Sequence, residues 1–303
     1  MASMPIPGRA AGGGPHLLVV GFVYVELLLP PDAATPPPGE EAFVDELRLG
    51  VGGALNAASV AHALGSRTAV SFPSPNGPFG GVAREAAAQL GIESHPWPTP
   101  IEPPVSLIFS HRMDRAILSF ADFEAFRDCP SLPDSSWVLV AGLREARRLE
   151  RQLASARSRG ARVCVNGSWA PDELERLSRT TEPPWDLLVL NEQEASRAAA
   201  RAHDPLGELA VIVPELVITR GERGAAALLG GRRLEVPAAR PAAVVDPTGA
   251  GDAFCAGLLH ALLQGTAPEE AVAYASKVAA RVLSMRGGAV FDAALFDGLE
   301  LPC

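Results

Sequence analysis

The apolar positions of this chain follow the period of a strand in some segments and the period of a helix in others. Residues 16–21 form a largely apolar run that ends in glycine, which is typical of a strand buried on both faces. Residues 54–64 are rich in alanine and end before Gly65, which predicts a helix with a glycine C-cap. Residues 68–72 then predict a strand, and residues 79–90 a second helix.

Strand and helix patterns alternate along the second half of the chain. The predicted strands are residues 137–141, 161–165, 186–190 and 215–219. The predicted helices are residues 144–159, 171–178, 192–202, 250–264 and 268–285, with a β segment near 225–245. Because this alternation is typical of βαβ units, we predict an α/β protein with a doubly wound, mostly parallel sheet and helices on both faces.

A second, smaller sheet is predicted from the segments that interrupt this pattern. Residues 24–29 and 42–49 flank a proline-rich loop and are predicted to pair. Residues 105–110 and 115–120 are predicted to pair around a polar turn. These strands come from two stretches, about residues 24–49 and 100–122, and are expected to form a lid.

The lid is expected to cover a cleft at one edge of the large sheet. In doubly wound folds, ligands bind beyond the carboxyl ends of the strands. Four turns follow a predicted strand or begin a predicted helix, at Gly52, Asn191, Gly221 and Gly249. We therefore expect these four turns to meet at one ligand site.

Composition and charge exclude several classes of protein. The net charge of −9 disfavours a nucleic-acid partner. The four cysteines include no C-x-x-C pair, so neither a disulfide framework nor a zinc site is expected, and the cytoplasm is the expected location. Residues 1–15 lack an apolar signal core and are predicted to be a disordered leader, with residues 16–303 as one domain. The apolar run at 17–29 is too short to span a bilayer, so no membrane association is expected.

The shortage of lysine excludes two common nucleotide-binding motifs. Lys277 is the only lysine in the sequence, and it follows no glycine-rich loop of the P-loop type. The strand lysine that the protein-kinase pattern requires is also absent from the sequence. A dinucleotide-binding motif is disfavoured because Gly249 and Gly251 are followed by Phe254 where a third glycine is needed.

The segment Asp246–Asp252 carries the strongest functional signal. It reads Asp-Pro-Thr-Gly-Ala-Gly-Asp and leads directly into an apolar helix. A turn without bulky side chains at the start of a helix points backbone N–H groups at an anion. Since a carboxylate would repel that anion, Asp252 needs another purpose, and accepting a proton from an attacking hydroxyl is one.

This segment resembles the C-terminal motif of the ribokinase-like (PfkB) carbohydrate kinases, Asp-Thr-x-Gly-Ala-Gly-Asp. Pro247 stands where the family usually has threonine, and Thr248 occupies the variable position. The resemblance implies that Asp252 is the catalytic base and that Gly249, Ala250 and Gly251 form the anion hole. It also implies ATP as the phosphoryl donor and Mg²⁺ as its cofactor.

The resemblance is weaker where the family binds its sugar. Gly52, Gly53 and Asn56 resemble the motif Gly-Gly-x-x-x-Asn, with Val51 in place of the first glycine, a change expected to narrow the sugar pocket. Glu26 stands near the position of a sugar-binding aspartate. Gly77 lies where relatives often carry another aspartate. The resemblance therefore implies a sugar site at Glu26, Gly52, Gly53 and Asn56 but leaves the sugar open.

Further positions resemble the nucleotide and metal site of the family. Asn191 and Glu194 match its Asn-x-x-Glu motif, which implies that Glu194 contacts Mg²⁺ through water, although the same pair also predicts a helix capping box. The ATP-binding residues implied by the resemblance are Asn191, Thr219, Gly221, Gly224, Thr248 and Ser276. Asp246 and Gly287 are implied as a site for a monovalent cation such as K⁺.

The sequence therefore predicts an ATP-dependent kinase that phosphorylates a hydroxyl of a small sugar or sugar derivative. A nucleoside kinase of the same superfamily is an alternative, because a ribose still presents the hydroxyl. A catalytically silent relative that binds a sugar or nucleotide is a second alternative, allowed by the changes at Glu26, Val51 and Gly77 and disfavoured by the retained Asp252. A homodimer through the lid is also expected, as is common in this family.

Overall fold

The computed structural model describes residues 16–30, 33, 36–110, 115–180, 183–199 and 204–302. The predicted leader at residues 1–15 and the predicted lid turn at residues 111–114 lie outside the described residues. None of the helices in the described part of the chain has the length and apolar character needed to cross a membrane.

The described elements alternate between strands and helices. The strands are β1 (Leu17–Val20), β2 (Val23–Leu29), β3 (Arg48–Gly53), β4 (Thr68–Pro75), β5 (Glu93–Thr99), β6 (Val105–Ser110), β7 (Arg115–Phe120), β8 (Trp137–Val140), β9 (Arg162–Asn166), β10 (Leu187–Asn191), β11 (Glu215–Thr219), β12 (Ala225–Leu229) and β13 (Arg232–Val236). The α-helices are α1 (Ala54–Ala63), α2 (Pro78–Gln89), α3 (Leu143–Arg148), α4 (Glu150–Ser158), α5 (Pro171–Leu177), α6 (Glu192–Ala198), α7 (Pro205–Leu209), α8 (Ala250–Leu263) and α9 (Pro268–Val282). Short 3-10 helices lie at Phe123–Phe126, Gly221–Arg223 and Ala293–Phe296.

The large sheet contains nine of the described strands, in the order β13-β12-β11-β10-β9-β8-β1-β4-β5. All neighbours from β11 to β5 run parallel, and β12 and β13 extend the sheet as an antiparallel hairpin. This confirms the prediction of a mostly parallel sheet.

Alternate residues of β1 pack into two separate cores, as expected for a strand buried on both faces. Leu17 and Val19 pack in the cluster that includes α1, α2, α8 and α9. Leu18 and Val20 pack in the cluster that includes α3 to α7. The sheet is therefore covered by helices on both faces, and the doubly wound prediction is confirmed.

The smaller sheet has the order β3-β2-β6-β7. Its strand β3 begins at Arg48, whereas the sequence predicted a strand at residues 42–49 and a glycine turn after it. That prediction was wrong because the glycines themselves pair with β2, with Gly52 opposite Tyr24 and Gly53 opposite Val23. A strand interior rich in glycine lacks the side-chain pattern on which strand prediction depends.

Three other elements also differ between the prediction and the structure. Strand β5 was missed because Pro96 and Pro98 disfavour a strand, yet β5 lies at the edge of the sheet, where proline is tolerated. The predicted helix at 144–159 is divided at Leu149, which ends α3 and precedes α4. The predicted β segment 225–245 ends with β13 at Val236, and the chain then runs as a loop towards α8.

Candidate active site

Asp252 lies in the first turn of α8 and is held by two side-chain amides. Asn56 Nδ2, from α1, donates to Asp252 Oδ2 at 2.9 Å. Asn166 Nδ2, from the end of β9, donates to Asp252 Oδ1 at 2.9 Å. Each carboxylate oxygen therefore has a fixed direction, and each still has the capacity for a further hydrogen bond. Asn166 was not identified from the sequence, although its place at the carboxyl end of a central strand was a usable signal.

At Gly249, the turn before Asp252 is packed too closely for a side chain. Gly249 has φ +77°, and a Cβ at this residue would lie 2.5 Å from the Cα of Gly288. A Cβ at Gly288 would in turn lie 2.6 Å from Cγ of Asn56. Gly249 therefore packs on Gly288, and Gly288 packs on the Asn56 amide that holds Asp252. Gly288 was not predicted from the sequence.

Asp246 connects this turn to the loop after α9. Its Oδ1 accepts hydrogen bonds from the backbone N–H of Thr248 at 2.8 Å and from its hydroxyl at 2.6 Å. Its Oδ2 accepts from the N–H of Gly287 at 2.9 Å. The structure thus brings together Asp246, Thr248 and Gly287, and the Asp246 carboxylate links the two loops by hydrogen bonds. The N–H of Ala250 makes a long, 3.4 Å contact with the carbonyl of Pro247.

Asn191 and Glu194 form a complete capping box at the start of α6. The N–H of Glu194 donates to Asn191 Oδ1, and the N–H of Asn191 donates to Glu194 Oε2, both at 2.9 Å. Gly167 makes room for this carboxylate, since a Cβ there would lie 2.5 Å from Glu194 Oε2. Burial, and then the negative charge of Asp252, raise the pKa of Glu194, while the Asn191 N–H bond lowers it.

A carboxylate oxygen near a second negative charge suits a hard cation such as Mg²⁺. Among the described residues, however, no three His, Cys, Asp or Glu side chains cluster in a way that could hold a metal alone. The side chains present therefore fit only an ion that keeps water or phosphate ligands.

The residues assigned to ATP lie at the ends of β10 and β11 and beyond. Thr219 is opposite Asn191 in the parallel register of these strands. Gly221 and Gly224 follow with positive φ values of +57° and +83°, and a Cβ at Gly224 would lie 2.0 Å from the carbonyl oxygen of Val236. Ser276 is half-buried on α9 and does not line the cavity described next.

A cavity of about 440 Å³ separates the lid from the large sheet. Its floor includes Asn56, Thr248, Gly249 and Asp252, and its roof includes inward-facing lid residues. Those roof residues are Tyr24, Glu26, Ser106, Ile117 and Ser119. The cavity therefore places the predicted base beneath a roof with hydroxyl and carboxylate groups.

Glu26 is buried in this roof because a glycine faces it. A Cβ at Gly52 would lie 1.9 Å from Glu26 Oε1. The glutamate side chain, which is one methylene longer than aspartate, therefore fits beside β3 only because Gly52 has no side chain. Gly53 lines the cavity. Gly52 does not line the cavity and affects it only by leaving room for the Glu26 side chain.

The expectation that Val51 narrows the sugar pocket was wrong. Val51 does not narrow the pocket, because successive strand residues point to opposite faces and Val51 packs in the main core, away from Glu26. Gly77 is exposed before α2 and does not line the cavity, so its identity leaves the walls of the cavity unchanged.

Among the lining residues that the sequence reasoning missed, four carry polar or aromatic side chains and come after β8 or β9. They lie beyond the carboxyl ends of these strands, and they are Arg144, Glu145, Ser168 and Trp169. Ser168 has the unusual φ of +50° for a residue other than glycine. A general rule about strand ends locates such residues, but it does not say which side chains turn inward.

Glu145 is an acid of the cavity with a raised pKa. Burial is the main cause that raises its pKa to about 7, and the charge of Asp252 adds to this, while Arg144 and backbone N–H bonds oppose it. Its side chain occupies the space over Gly142, where a Cβ would lie 2.6 Å from Glu145 Oε2. Glu145 can therefore gain or lose a proton near neutral pH beside the candidate base.

The chain is similar in sequence to known kinases. A nucleoside kinase of Methanocaldococcus jannaschii is 28% identical over 102 residues, covering 34% of this chain and 34% of that protein. A ribokinase of Arabidopsis thaliana is 33% identical over 119 residues, covering 39% of this chain and 28% of that protein. The chain thus aligns with about a third of the length of these curated relatives.

The fold is shared over a much greater length than the sequence. The solved structure of the Methanocaldococcus jannaschii nucleoside kinase, described as an archaeal member of the ribokinase family, superposes with a TM-score of 0.75 at 19% identity. That superposition covers 92% of this chain and 95% of the other. The model of the pfkB family of carbohydrate kinases matches residues 15–292. With its fold and most of its length matched, the chain belongs to the pfkB family of carbohydrate kinases.

Proposed function

We propose that this protein transfers the γ-phosphoryl group of ATP to a hydroxyl, preferably a primary one, of a small sugar or sugar derivative. The observation that carries the proposal is the oriented carboxylate of Asp252, held by Asn56 and Asn166 at the floor of the cavity. Family membership supports the same reaction type.

The chemistry requires little proton transfer before the phosphoryl group moves. In a loose transition state the bond to the attacking oxygen is only slightly formed, so the hydroxyl keeps its proton until late. Asp252 would orient the hydroxyl and then accept this proton. Asn56 and Asn166 act as positioning residues, because both reach the reacting hydroxyl through Asp252.

The helix start would stabilise the charge of the transferring group. Gly249, Ala250 and Gly251 lie at the first turn of α8, where N–H groups point away from the helix and favour an anion. When bound, Mg²⁺ would neutralise charge on the phosphate oxygens, and Glu194 is proposed to contact its water ligands. Asn191, Thr219, Gly221, Gly224, Thr248 and Ser276 are proposed to bind ATP, and Asp246 with Gly287 a monovalent cation.

Two alternatives differ from this proposal in substrate or in activity. A nucleoside kinase would use the same base and anion hole with a larger acceptor. A silent binding protein would bind ATP or a sugar without turnover. The paired amides on Asp252 favour an active enzyme, because binding alone does not require an oriented carboxylate at the helix start.

A coupled assay of ADP release would test the proposed function. The acceptors would be aldoses, ketoses, sugar acids and nucleosides, each with ATP and Mg²⁺, in the presence and absence of K⁺. We expect release that depends on one acceptor class. Release that occurs without any acceptor and persists in Asp252→Asn, or no release at all, would contradict the proposal.

A homodimer through the lid is proposed because one lid face is apolar and exposed. Leu49, Leu27, Leu107 and Leu118 lie in one row across the four strands, on the face opposite Glu26. Leu49 is 59% exposed and Leu118 is 65% exposed. Such a face needs a cover, and a second copy presents the same surface.

Light scattering would test the dimer. Leu118→Glu is expected to give monomers, because a carboxylate would be buried in the interface. The matched control is Val211→Glu, which changes a residue that is 86% exposed outside the lid and should leave the mass unchanged. A monomeric wild-type protein would contradict the proposal. We further propose that the protein has no nucleic-acid partner, in keeping with the net charge of −9. A cytoplasmic location is proposed from the four cysteines, which include no C-x-x-C pair.

A further inference from the structure

One side chain of the acceptor cavity is not explained by a neutral sugar. Arg144 is the only basic residue among the described residues that line the cavity. It lies on α3, after the carboxyl end of β8, and is half-buried. A neutral sugar offers hydroxyl groups, which need no full positive charge for their recognition.

The protein positions this guanidinium over an aromatic ring and not in an ion pair. Its central carbon lies 5.6 Å from the ring centroid of Phe123, a cation–π distance. In the described part of the chain no carboxylate forms an ion pair with Arg144, whereas Arg147 and Arg148 on the same helix pair with Glu150 at 3.2 Å and Glu124 at 2.8 Å. Contact with a ring face leaves the N–H edge of a guanidinium available to a ligand.

We propose that the acceptor is a sugar acid whose carboxylate is bound by Arg144. The proposal rests on the proposed function, since it names the acceptor of that reaction. A planar carboxylate matches the fork of N–H donors with two parallel hydrogen bonds, and such pairs give specificity as well as affinity. The hydroxyl to be phosphorylated would then lie towards Asp252, on the opposite part of the cavity lining.

The charges around Arg144 favour a monoanion over a phosphate. Among the described residues that line the cavity, Arg144 is the one cation, and the neighbouring acid Glu145 would oppose a dianion more strongly than a monoanion. Glu145 can take up a proton near neutral pH, and its protonated form would donate a hydrogen bond to a carboxylate oxygen. The pair Arg144 and Glu145 therefore suits one negative charge.

The test compares acids with matched neutral sugars. ADP release would be measured with gluconate, galactonate and 2-keto-3-deoxygluconate, and with glucose, galactose, ribose, glucose 6-phosphate, fructose 6-phosphate and adenosine. The enzymes would be the wild type, Arg144→Gln, Arg144→Lys and the control Arg148→Gln. Arg148 lies on the same helix but pairs with Glu124 and does not line the cavity.

We expect one of the acids to be the best acceptor of the wild type. Loss of a charge-assisted contact in Arg144→Gln should lower kcat/KM for that acid by about 10- to 150-fold, mainly through KM. Arg144→Lys should be intermediate, because it keeps the charge without the fork. Arg148→Gln should match the wild type, and neutral sugars should change little in any variant.

The remaining outcomes would overturn the proposal. A neutral sugar, a nucleoside or a sugar phosphate as the best acceptor contradicts a sugar acid. An acid whose turnover is the same in Arg144→Gln contradicts the role of Arg144. If no acceptor is phosphorylated at all, the proposed function fails, and thermal shifts then decide the binding proposal by themselves. If a sugar acid raises the melting temperature of the wild type and of Arg148→Gln but not of Arg144→Gln, the result supports binding of the acid by Arg144. If no sugar acid raises the melting temperature in this pattern, the result contradicts that binding.

Discussion

The two ends of the cavity are built in different ways. At the phosphoryl-transfer end, backbone atoms define the geometry. Gly249 packs on Gly288, and the Asp246 carboxylate accepts hydrogen bonds from the backbone N–H groups of Thr248 and Gly287. At the acceptor end, side chains define it, with Glu26 above Gly52 and Arg144 beside Glu145. The first end matches the family motif closely, and the second departs from it.

We infer from this difference that the backbone-defined end determines the type of reaction and that the side-chain-defined end determines the choice of substrate. A backbone site has no room for change, because each Cβ added at Gly249 or Gly288 meets another chain segment. A side-chain site can exchange groups while the surrounding strands stay in place, as Glu26 does by using the space over Gly52. The following predictions test this contrast, from the largest expected effect to the smallest.

Asp252→Asn should nearly abolish the reaction. Because an amide cannot accept the proton, kcat should fall by about 10²- to 10⁴-fold, the usual contribution of a general base. Steady-state ADP release with the best acceptor measures this, and an unchanged melting temperature would show that the fold is intact. A fall of less than tenfold would mean that Asp252 is not the base.

Gly249→Ala and Gly251→Ala should have opposite effects on stability. Gly249 combines φ +77° with a close approach to Gly288, so alanine there should cost about 2–5 kcal/mol in the free energy of unfolding. A Cβ at Gly251 meets nothing within 4 Å, and its helical position should gain about 0.5–1 kcal/mol. Urea denaturation measures both. Equal losses at the two glycines would refute the packing argument.

Glu145 should make stability depend on pH. Its pKa rises from 4.5 to about 7 on folding, so the folded state holds more protons than the unfolded state between these values. Stability should therefore fall as pH rises through this window and level off above it. Glutamine does not titrate, so the free energy of unfolding of Glu145→Gln should not show this fall. Between pH 4.5 and pH 8, the difference in free energy of unfolding between Glu145→Gln and the wild type should therefore shift by about 3 kcal/mol in favour of the variant. Urea titrations across this range measure the difference, and a constant difference would contradict the assignment.

Gly52→Ala should damage acceptor binding through Glu26. Since the new Cβ would lie 1.9 Å from Glu26 Oε1, the carboxylate must move, and KM for the acceptor should rise by about tenfold or more. The double variant Gly52→Ala with Glu26→Asp should recover part of this loss, because the shorter side chain withdraws from the added methyl. Equal KM values for the single and double variants would show that the two residues act independently.

Some features of the site could be predicted from the sequence because they depend on local order. The run from Asp246 to Asp252 joins a turn, a helix start and an acid within seven residues, and the capping box of Asn191 and Glu194 spans four. Local hydrogen bonds and helix geometry connect such neighbours without the rest of the chain.

Other features depend on distant segments that meet only after folding. Asn166 lies 86 residues from Asp252, and Asn56 lies 196 residues away, yet both donate to its carboxylate. The pairing of Gly50–Gly53 as a strand was likewise invisible to a pattern of side chains, because glycine has none. Sequence spacing carries no signal for such contacts.

The sequence by itself determined the doubly wound sheet, the family and the phosphoryl-transfer motif, since apolar periodicity and a contiguous glycine turn are local properties. Only the tertiary structure decided which amides hold Asp252, why residue 52 must lack a side chain to leave room for Glu26, and that Arg144 and Glu145 line the cavity. The physical reason is that burial, charge and close approach arise between segments far apart in the chain. These quantities exist only once the lid and the sheet enclose a common cavity.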